Sequence, residues 1–429
     1  MAHVRLAFGQ KFFEFDIRDQ HVLDILKPRR ANPTKPPKKS FEVALASPIA
    51  SKPLREIIDR PGQTVIVAPD KTRNCGAPIL LPMLLDHLNV CGVSDRDVNV
   101  LLALGSHVPH TDGEIEQIVG NEVVNRVKVI EHDCQNELDL VYLGETTHGT
   151  PVFINRNIVE AEFVIVVSTA VHHYFAGYGG GWKMINPGCA GYETIRKNHA
   201  LTIDENSGAI QPKCRSGVLT GNPVQEDLRE SLRFLKVDYL VETIVNDAGE
   251  IVEIMSGDLF AAHEQACALV DSFYKIPVKE QADLVVVSCG GHPKDINMIQ
   301  AHKSLHNAFQ AVKEGGVILM LAECSQGVGS NTFLDWFDLS DEPTFLNELK
   351  HNYTLNGTTA LSVRMKAKAA NIILISKLPN DVVARMGITS AASLDEGWRI
   401  AQSQLDENFK CCIIPNGSLT LPFRDAYES

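Results

Sequence analysis

The chain has 429 residues, 44% of them apolar and 22% charged, with a formal net charge of -13. That length exceeds one ordinary core and predicts two domains. The acidic balance disfavours nucleic acid, whose phosphates call for a basic face, and no apolar run reaches the length of a membrane span. The ten cysteines are scattered without a CxxC pair, so reduced thiols and a cytoplasmic location are expected.

The opening MAHVRLAFGQKFFEFDI alternates around Gly9-Gln10 as a hairpin does and lacks the apolar core of a signal peptide. Residues 27–40, rich in proline and basic side chains, read as an extended connector. A helix in two pieces follows over 41–58, broken at Pro48 and Pro53. From Thr64 strands and helices alternate. Val65 to Ala68 is a strand that delivers Asp70, Lys71, Thr72 and Arg73, and a helix spans Pro78 to Leu88. Val98 to Leu104 is a strand that delivers Ser106, His107 and His110. Thr111 with Glu114 forms a capping-box signature.

The apolar run Phe163 to Val167 predicts a buried strand opening into His172, His173 and a glycine-rich loop that ends at Lys183, with a helical pattern carrying His199 beyond. The loop is not a P-loop: Trp182 replaces the second glycine and Met184 the magnesium-binding hydroxyl residue. Residues 204–220 look irregular. A helix is predicted over 223–235, a hairpin over 240–254 turning at Asp247-Ala248-Gly249, and a helix over 259–274. In that helix His263-Glu264 followed by Cys267 is a broken HExxH, which does not make a zinc site.

A second alternation begins after 275–282, with strands at 283–288, 316–321, 371–376 and 412–415. One helix carries Gln300 and Lys303, and another is capped by Ser393 and Glu396. The expectation is therefore an α/β protein of two α/β domains with mostly parallel sheets and an active-site cleft between them. The N-terminal domain spans 1–274, the C-terminal domain 275–415, and the tail 416–429 packs back on the N-terminal domain. Ligands of open α/β sheets bind beyond the carboxyl ends of the strands, so the polar outputs converge there.

Those outputs allow a definite chemistry. Histidine titrates near neutrality, and two histidines on separate strand-end loops can flank a substrate carbon, an arrangement that suits racemisation. Arg73 and Lys303 can hold a carboxylate, Arg73 in bidentate fashion. No compact His/Cys ligand spacing is present. A single imidazole such as His199 can complete a metal held otherwise by a non-protein ligand, and sulfur with imidazole suits nickel.

Taken in order, Asp70-Lys71-Thr72-Arg73, Gly105-Ser106-His107, His173-Tyr174-Phe175-Ala176-Gly177 leading to Lys183, Asn198-His199, and Gly291-His292-Pro293-Lys294-Asp295-Ile296-Asn297 with Gln300 and Lys303 form one set. The set resembles the nickel-dependent lactate racemase superfamily of 2-hydroxyacid racemases and epimerases over nearly the whole chain. The resemblance implies a nickel-pincer nucleotide (nickel pyridinium-3,5-bisthiocarboxylic acid mononucleotide) attached covalently to Lys183 and absent from an apo form, with His199 as protein ligand to nickel. It implies His107 and His173 as alternating acid/base groups, and Arg73, Gln300 and Lys303 as substrate contacts. Asp70, Thr72, Gly179, Gly180 and Gly181 would lie at the cofactor, the glycines making room for it.

The implied reaction is inversion at C2 of a small 2-hydroxyacid by hydride transfer to and from the cofactor. The implied partners are cofactor-biosynthesis proteins, with a homo-oligomer compatible and neither nucleic acid nor membrane expected. Two departures stand out: Val108 and Trp182 occupy places where the family often has arginine. They leave open a non-catalytic protein that binds an anionic metabolite, and a metal-independent lyase or dehydratase is the third alternative. The substrate's side-chain pocket, with Ile299 and Thr358 as candidate lining, is not fixed by the sequence.

Overall fold

The computed structural model describes residues 1–29, 31–204, 206–339 and 341–424. These fall into two compact units: one built from residues 31–202 and 212–270, the other from the described residues of 1–30, 203–211 and 271–429.

The first unit is organised on a six-stranded sheet in the order Ile251–Gly257, Tyr239–Val245, Phe163–Thr169, Thr64–Pro69, Val98–Ala103 and Lys128–Glu131. All neighbouring pairs are parallel except the outermost hairpin, Tyr239–Val245 with Ile251–Gly257. Every residue of Thr64–Pro69 and Phe163–Thr169 is buried, the unbroken apolar pattern of a strand covered on both faces. Ile66, Ala68, Val100, Leu102, Ile165 and Val167 pack on Leu81, Leu84 and Leu88 of the helix Ala77–Val90. The predicted cap is present: the Thr111 hydroxyl accepts from Glu114 N–H and the Glu114 carboxylate accepts from Thr111 N–H, starting the helix Asp112–Val119.

The second unit has another six-stranded sheet, all parallel, in the order Thr389–Ala391, Asn371–Ile375, Val312–Leu321, Ala282–Ser288, Cys411–Ile414 and Val22–Ile25. Three points correct the expected division. The first 30 residues do not belong with the N-terminal domain. Val22–Ile25 is an edge strand against Cys411–Ile414, and the hairpin Ala2–Phe8 with Lys11–Ile17 buries Val4, Leu6, Phe15 and Ile17 among Leu284, Leu319 and Ile413. The tail does not return to the N-terminal domain either, since Leu421–Phe423 pairs in parallel with Lys275–Pro277 of the same unit; residues 425–429 lie outside the described set. The boundary itself falls after Val270, inside the helix Leu259–Tyr274.

The basic connector also ends sooner than expected, because Pro37 begins the helix Pro37–Ala46, where its missing N–H and fixed φ cost nothing. The predicted second helical piece is the short Leu54–Ile57. Among the described residues, no helix is long and apolar enough to cross a membrane.

Candidate functional site

Three adjacent parallel strands of the first unit, Phe163–Thr169, Thr64–Pro69 and Val98–Ala103, end on the same side of their sheet and supply the loops that carry the predicted groups. The strand Thr64–Pro69 hands over directly to Asp70, which is 3% exposed. One carboxylate oxygen lies 2.6 Å from His107 Nδ1, and the other accepts from Thr72 N–H at 3.1 Å and the Thr72 hydroxyl at 2.7 Å. Burial raises the pKa of Asp70, but the His107 charge and the hydrogen bonds from His107 and Thr72 outweigh it and hold the carboxyl below its ordinary range. An ionised carboxylate only accepts, so His107 donates from Nδ1 and keeps its lone pair on Nε2. The imidazole, 43% exposed, is oriented as a base. Both oxygens of Asp70 are thereby engaged on His107 and Thr72, which makes Asp70 an orienting partner of His107.

The strand Phe163–Thr169 leads into the two-stranded ribbon Val171–His173 with Gly177–Gly179, and then into the 3₁₀ turn Gly181–Met184. His173 is half-buried, and its Nδ1 accepts from Ala176 N–H at 3.3 Å. In neutral imidazole this places the proton on Nε2, the reverse of His107. Phe175 stands between the predicted groups, 4.6 Å from the His173 ring, 5.0 Å from the His199 ring and 5.5 Å from Lys183 Nζ. Lys183 is 7% exposed. Burial, with the Arg73 charge adding to it, pushes its amine down to about 7. Arg73 itself directs Nη1 at the Thr72 carbonyl and hydroxyl, 3.3 and 3.4 Å away.

His199 lies in the last turn of the helix Tyr192–Ala200, where its Nδ1 is 2.8 Å from the Ile195 carbonyl. A carbonyl accepts, so Nδ1 carries the proton and Nε2 the lone pair, the geometry usual in a metal-ligating histidine. Burial pushes this imidazole down to about 3, Lys183 adds to the effect and the Ile195 bond opposes it. The described residues contain no group of three His, Cys, Asp or Glu able to hold a metal ion. The donor set thus fits a metal that brings its own further ligands: one imidazole nitrogen beside one amine that burial pushes down to about 7.

The glycines also have a structural reason of their own. Gly180 (φ +98°) and Gly181 (φ +52°) adopt backbone open to glycine, and a Cβ at Gly180 would strike the Thr169 carbonyl and the Glu242 carboxylate. At Gly181 it would enter the His263 ring. At Gly179 it would press on Val171. The protein itself fills the space a side chain at these positions would take, so glycine permits close packing of the turn.

The remaining histidines separate cleanly. The His110 side chain is inaccessible, with Nδ1 2.6 Å from Glu131 and Nε2 3.5 Å from Lys71 N–H, so it props the loop that carries Arg73. His172 tilts against Tyr178 across the ribbon. Trp182 is fully buried, donating from Nε1 to Gln225 at 2.7 Å with Arg229 over its ring at 5.2 Å, whereas Val108 is 66% exposed. Gln300 and Lys303 belong to the second unit, on the helix Met298–Phe309, where Lys303 Nζ donates to Gln300 Oε1 at 2.6 Å. Thr358 is buried against the Tyr353 hydroxyl, and Ile299 is half-buried.

Sequence reasoning missed Phe175 as the common neighbour of three groups, and it missed Glu242 and the true setting of His263, discussed below. Aromatic residues flanking His173 were visible, but which of them faces inward was not.

The chain is similar to known proteins over most of its length. Residues 8–210 match the lactate racemase N-terminal domain and residues 278–421 the lactate racemase C-terminal domain. The chain is 29% identical to a lactate racemase of Thermoanaerobacterium thermosaccharolyticum over 426 residues, covering 97% of this chain and 98% of that one. It is 28% identical to a lactate racemase of Lactiplantibacillus plantarum over 385 residues, covering 88% and 89%. The structure of the lactate racemase apoprotein from T. thermosaccharolyticum superposes with a TM-score of 0.88 at 27% identity, covering 98% of this chain and 100% of that chain. A crystal structure from Thermotoga maritima, at 17% identity and a TM-score of 0.69, shares the fold. With two family domains in order and near full-length likeness in sequence and structure, the chain belongs to the lactate racemase superfamily.

Proposed function

We propose that the protein is a racemase or epimerase that inverts C2 of a small 2-hydroxyacid with a nickel-pincer nucleotide held on Lys183 and His199. The observation that carries this reading is the pair of imidazoles anchored through Nδ1, His107 on Asp70 and His173 on Ala176 N–H, on strand-end loops of the unit that also holds Lys183 and His199. When bound, the cofactor supplies a reversible acceptor for the C2 hydride.

The chain's own residues do the rest. His107 Nε2 takes the hydroxyl proton, and the Asp70 carboxylate stabilises the imidazolium that results. His173, entering as the imidazolium, returns a proton to the oxygen when the product forms on the opposite face and ends as neutral imidazole, and in the reverse direction the two exchange duties. Arg73 binds the substrate carboxylate, and the resemblance assigns Gln300 and Lys303 to the substrate as well. Lys183, half unprotonated near pH 7, is the nucleophile that a covalent acyl attachment requires, and His199 Nε2 is the nitrogen offered to nickel.

The test is protein made in cells that also make the cofactor. Intact mass of the Lys183 peptide and a panel of enantiopure 2-hydroxyacids, including short aliphatic acids, a dicarboxylate and a sugar acid, are read together. An adduct with loss of optical purity on one member is expected. A chain without adduct that leaves every acid optically pure overturns the reading. The exposed Val108 in a place where the family often has arginine favours a second reading, an anion-binding protein without catalysis. Tight hydroxyacid binding that survives Lys183→Ala and needs no nickel would select it.

A further inference from the structure

The helix Leu259–Tyr274 carries His263 and Cys267, which the sequence presents as a broken metalloprotease motif. The structure gives His263 another partner. Its Nδ1 lies 2.7 Å from Glu242 Oε2 on the strand Tyr239–Val245, and its Nε2 lies 3.5 Å from Cys267 Sγ. Glu242 and His263 are both 0% exposed and Cys267 is 2% exposed, so no substrate reaches them and a nucleophilic Cys-His-Glu triad is ruled out.

Enclosing such a pair is a poor way to gain stability, since packed apolar residues commonly do as well or better. What the pair reaches is informative. Glu242 Oε1 accepts from Gly181 N–H at 2.8 Å and from the Ser168 hydroxyl at 2.8 Å, and Ser168 Oγ also accepts from Gly181 N–H at 3.0 Å. Gly181 has left the strand ladder with a positive φ, so its N–H has no regular backbone acceptor and is met by the Glu242 carboxyl and the Ser168 hydroxyl instead. The His263 ring lies where a Gly181 Cβ would be, and Trp182 packs on it edge to face at 4.4 Å. Three contacts of one buried pair therefore fix the two residues immediately before Lys183.

We propose that Glu242 and His263 are positioning residues for Lys183: the pair clamps the Gly180–Gly181 turn and so sets where the amine is presented. The proposal rests on Lys183 being the attachment point. Reacting groups tolerate little displacement, so a loosened turn lowers attachment even though the lysine itself is intact.

The experiment compares wild type, Glu242→Ala, Glu242→Gln and Ser168→Ala. Reductive methylation of cofactor-free chain with formaldehyde and cyanoborohydride is followed by peptide mass at Lys183, with buried Lys366 of the other unit as internal reference. Adduct yield at Lys183 is measured in parallel on chain from cofactor-making cells. In Glu242→Ala, Lys183 should methylate at least five-fold faster with Lys366 within two-fold of wild type, and adduct yield should fall at least five-fold. Glu242→Gln, whose amide oxygen still accepts from Gly181 N–H, should restore both readouts to within two-fold. Ser168→Ala, a milder change that keeps the charge pair, should shift Lys183 two- to three-fold and serves if Glu242→Ala does not fold. Unchanged or slower Lys183 methylation in the alanine variants overturns the proposal, and so does a parallel rise at Lys366, which marks general loosening. A wild-type chain that methylates as expected but never gains an adduct counts against Lys183 as attachment point while leaving the clamp standing.

Discussion

Lys183 and Lys366 invite comparison. Both are buried, at 7% and 6% exposure, and burial pushes each amine down to about 7. Their surroundings differ. Lys366, in the helix Gly357–Ala369, donates to its own previous turn, to the Ser362 carbonyl at 3.1 Å and hydroxyl at 2.5 Å, with Phe309 5.7 Å away. Lys183 leaves a glycine turn at a strand end, faces Phe175 and feels the charge of Arg73. A neutralised lysine is therefore not in itself a sign of chemistry. Lys366 is a core residue satisfied by its helix, whereas the Lys183 amine lies over the Phe175 ring beside the charge of Arg73.

The strongest way to break that contrast is Lys183→Ala, which should remove the covalent adduct and all racemisation; Lys366→Met should remove neither, as intact mass and a chiral assay will show. Next come His107→Ala and His173→Ala. Each should lower racemisation by a factor of about 10³ or more while the adduct remains, since acid/base groups of this kind commonly supply 10²–10⁴ and here both directions need both. Equal rates in either variant and wild type would remove the two-base assignment.

Asp70→Asn should act less severely, lowering kcat by about 10²-fold with little change in adduct, because the amide no longer fixes the Nδ1 proton of His107. A wild-type kcat would mean that Asp70 does not orient the base. The smallest effect is on stability. The folded value of Lys366, about 7, lies below its ordinary 10.5, so the penalty for burial is complete below pH 7 and vanishes as pH rises towards 10.5. Lys366→Met should stabilise the fold at pH 7 by roughly 1–3 kcal/mol. The gain should disappear by about pH 10.5, read by denaturant melts across that range. A gain independent of pH would remove the charge from the explanation.

Much of this was legible in the sequence, and the failures share a cause. The buried strand Phe163–Thr169, the hairpin turning at Gly9 and the cap at Thr111 are stated by neighbouring residues alone. Val22–Ile25 was not seen, because what makes it a strand is Cys411–Ile414, far along the chain. His263 was read with Glu264 beside it in sequence, although its partner Glu242 sits on another element and contributes no local pattern. The glycines before Lys183 were legible as glycines, but whether ligand or protein fills their space depends on Thr169, Glu242 and His263, which only folding brings there. The order along the chain of the loops carrying Asp70, His107 and His173 was readable because each follows its own apolar strand. The Nδ1 partners of His107 and His173 were not, since they are Asp70 on another loop and a backbone amide.

The edge strand Val22–Ile25 also imposes an order on synthesis. The ribosome releases the whole sheet of the unit 31–202 and 212–270 by the time Gly257 has emerged, and that unit can close while translation continues. The first strand must instead wait for Cys411–Ile414, a delay of about 20–80 s at roughly 5–20 residues per second. Until Leu284 and Leu319 have emerged, the hairpin face of Val4, Leu6, Phe15 and Ile17 lacks the side chains that will cover it. That face is where a nascent-chain chaperone would be expected to bind.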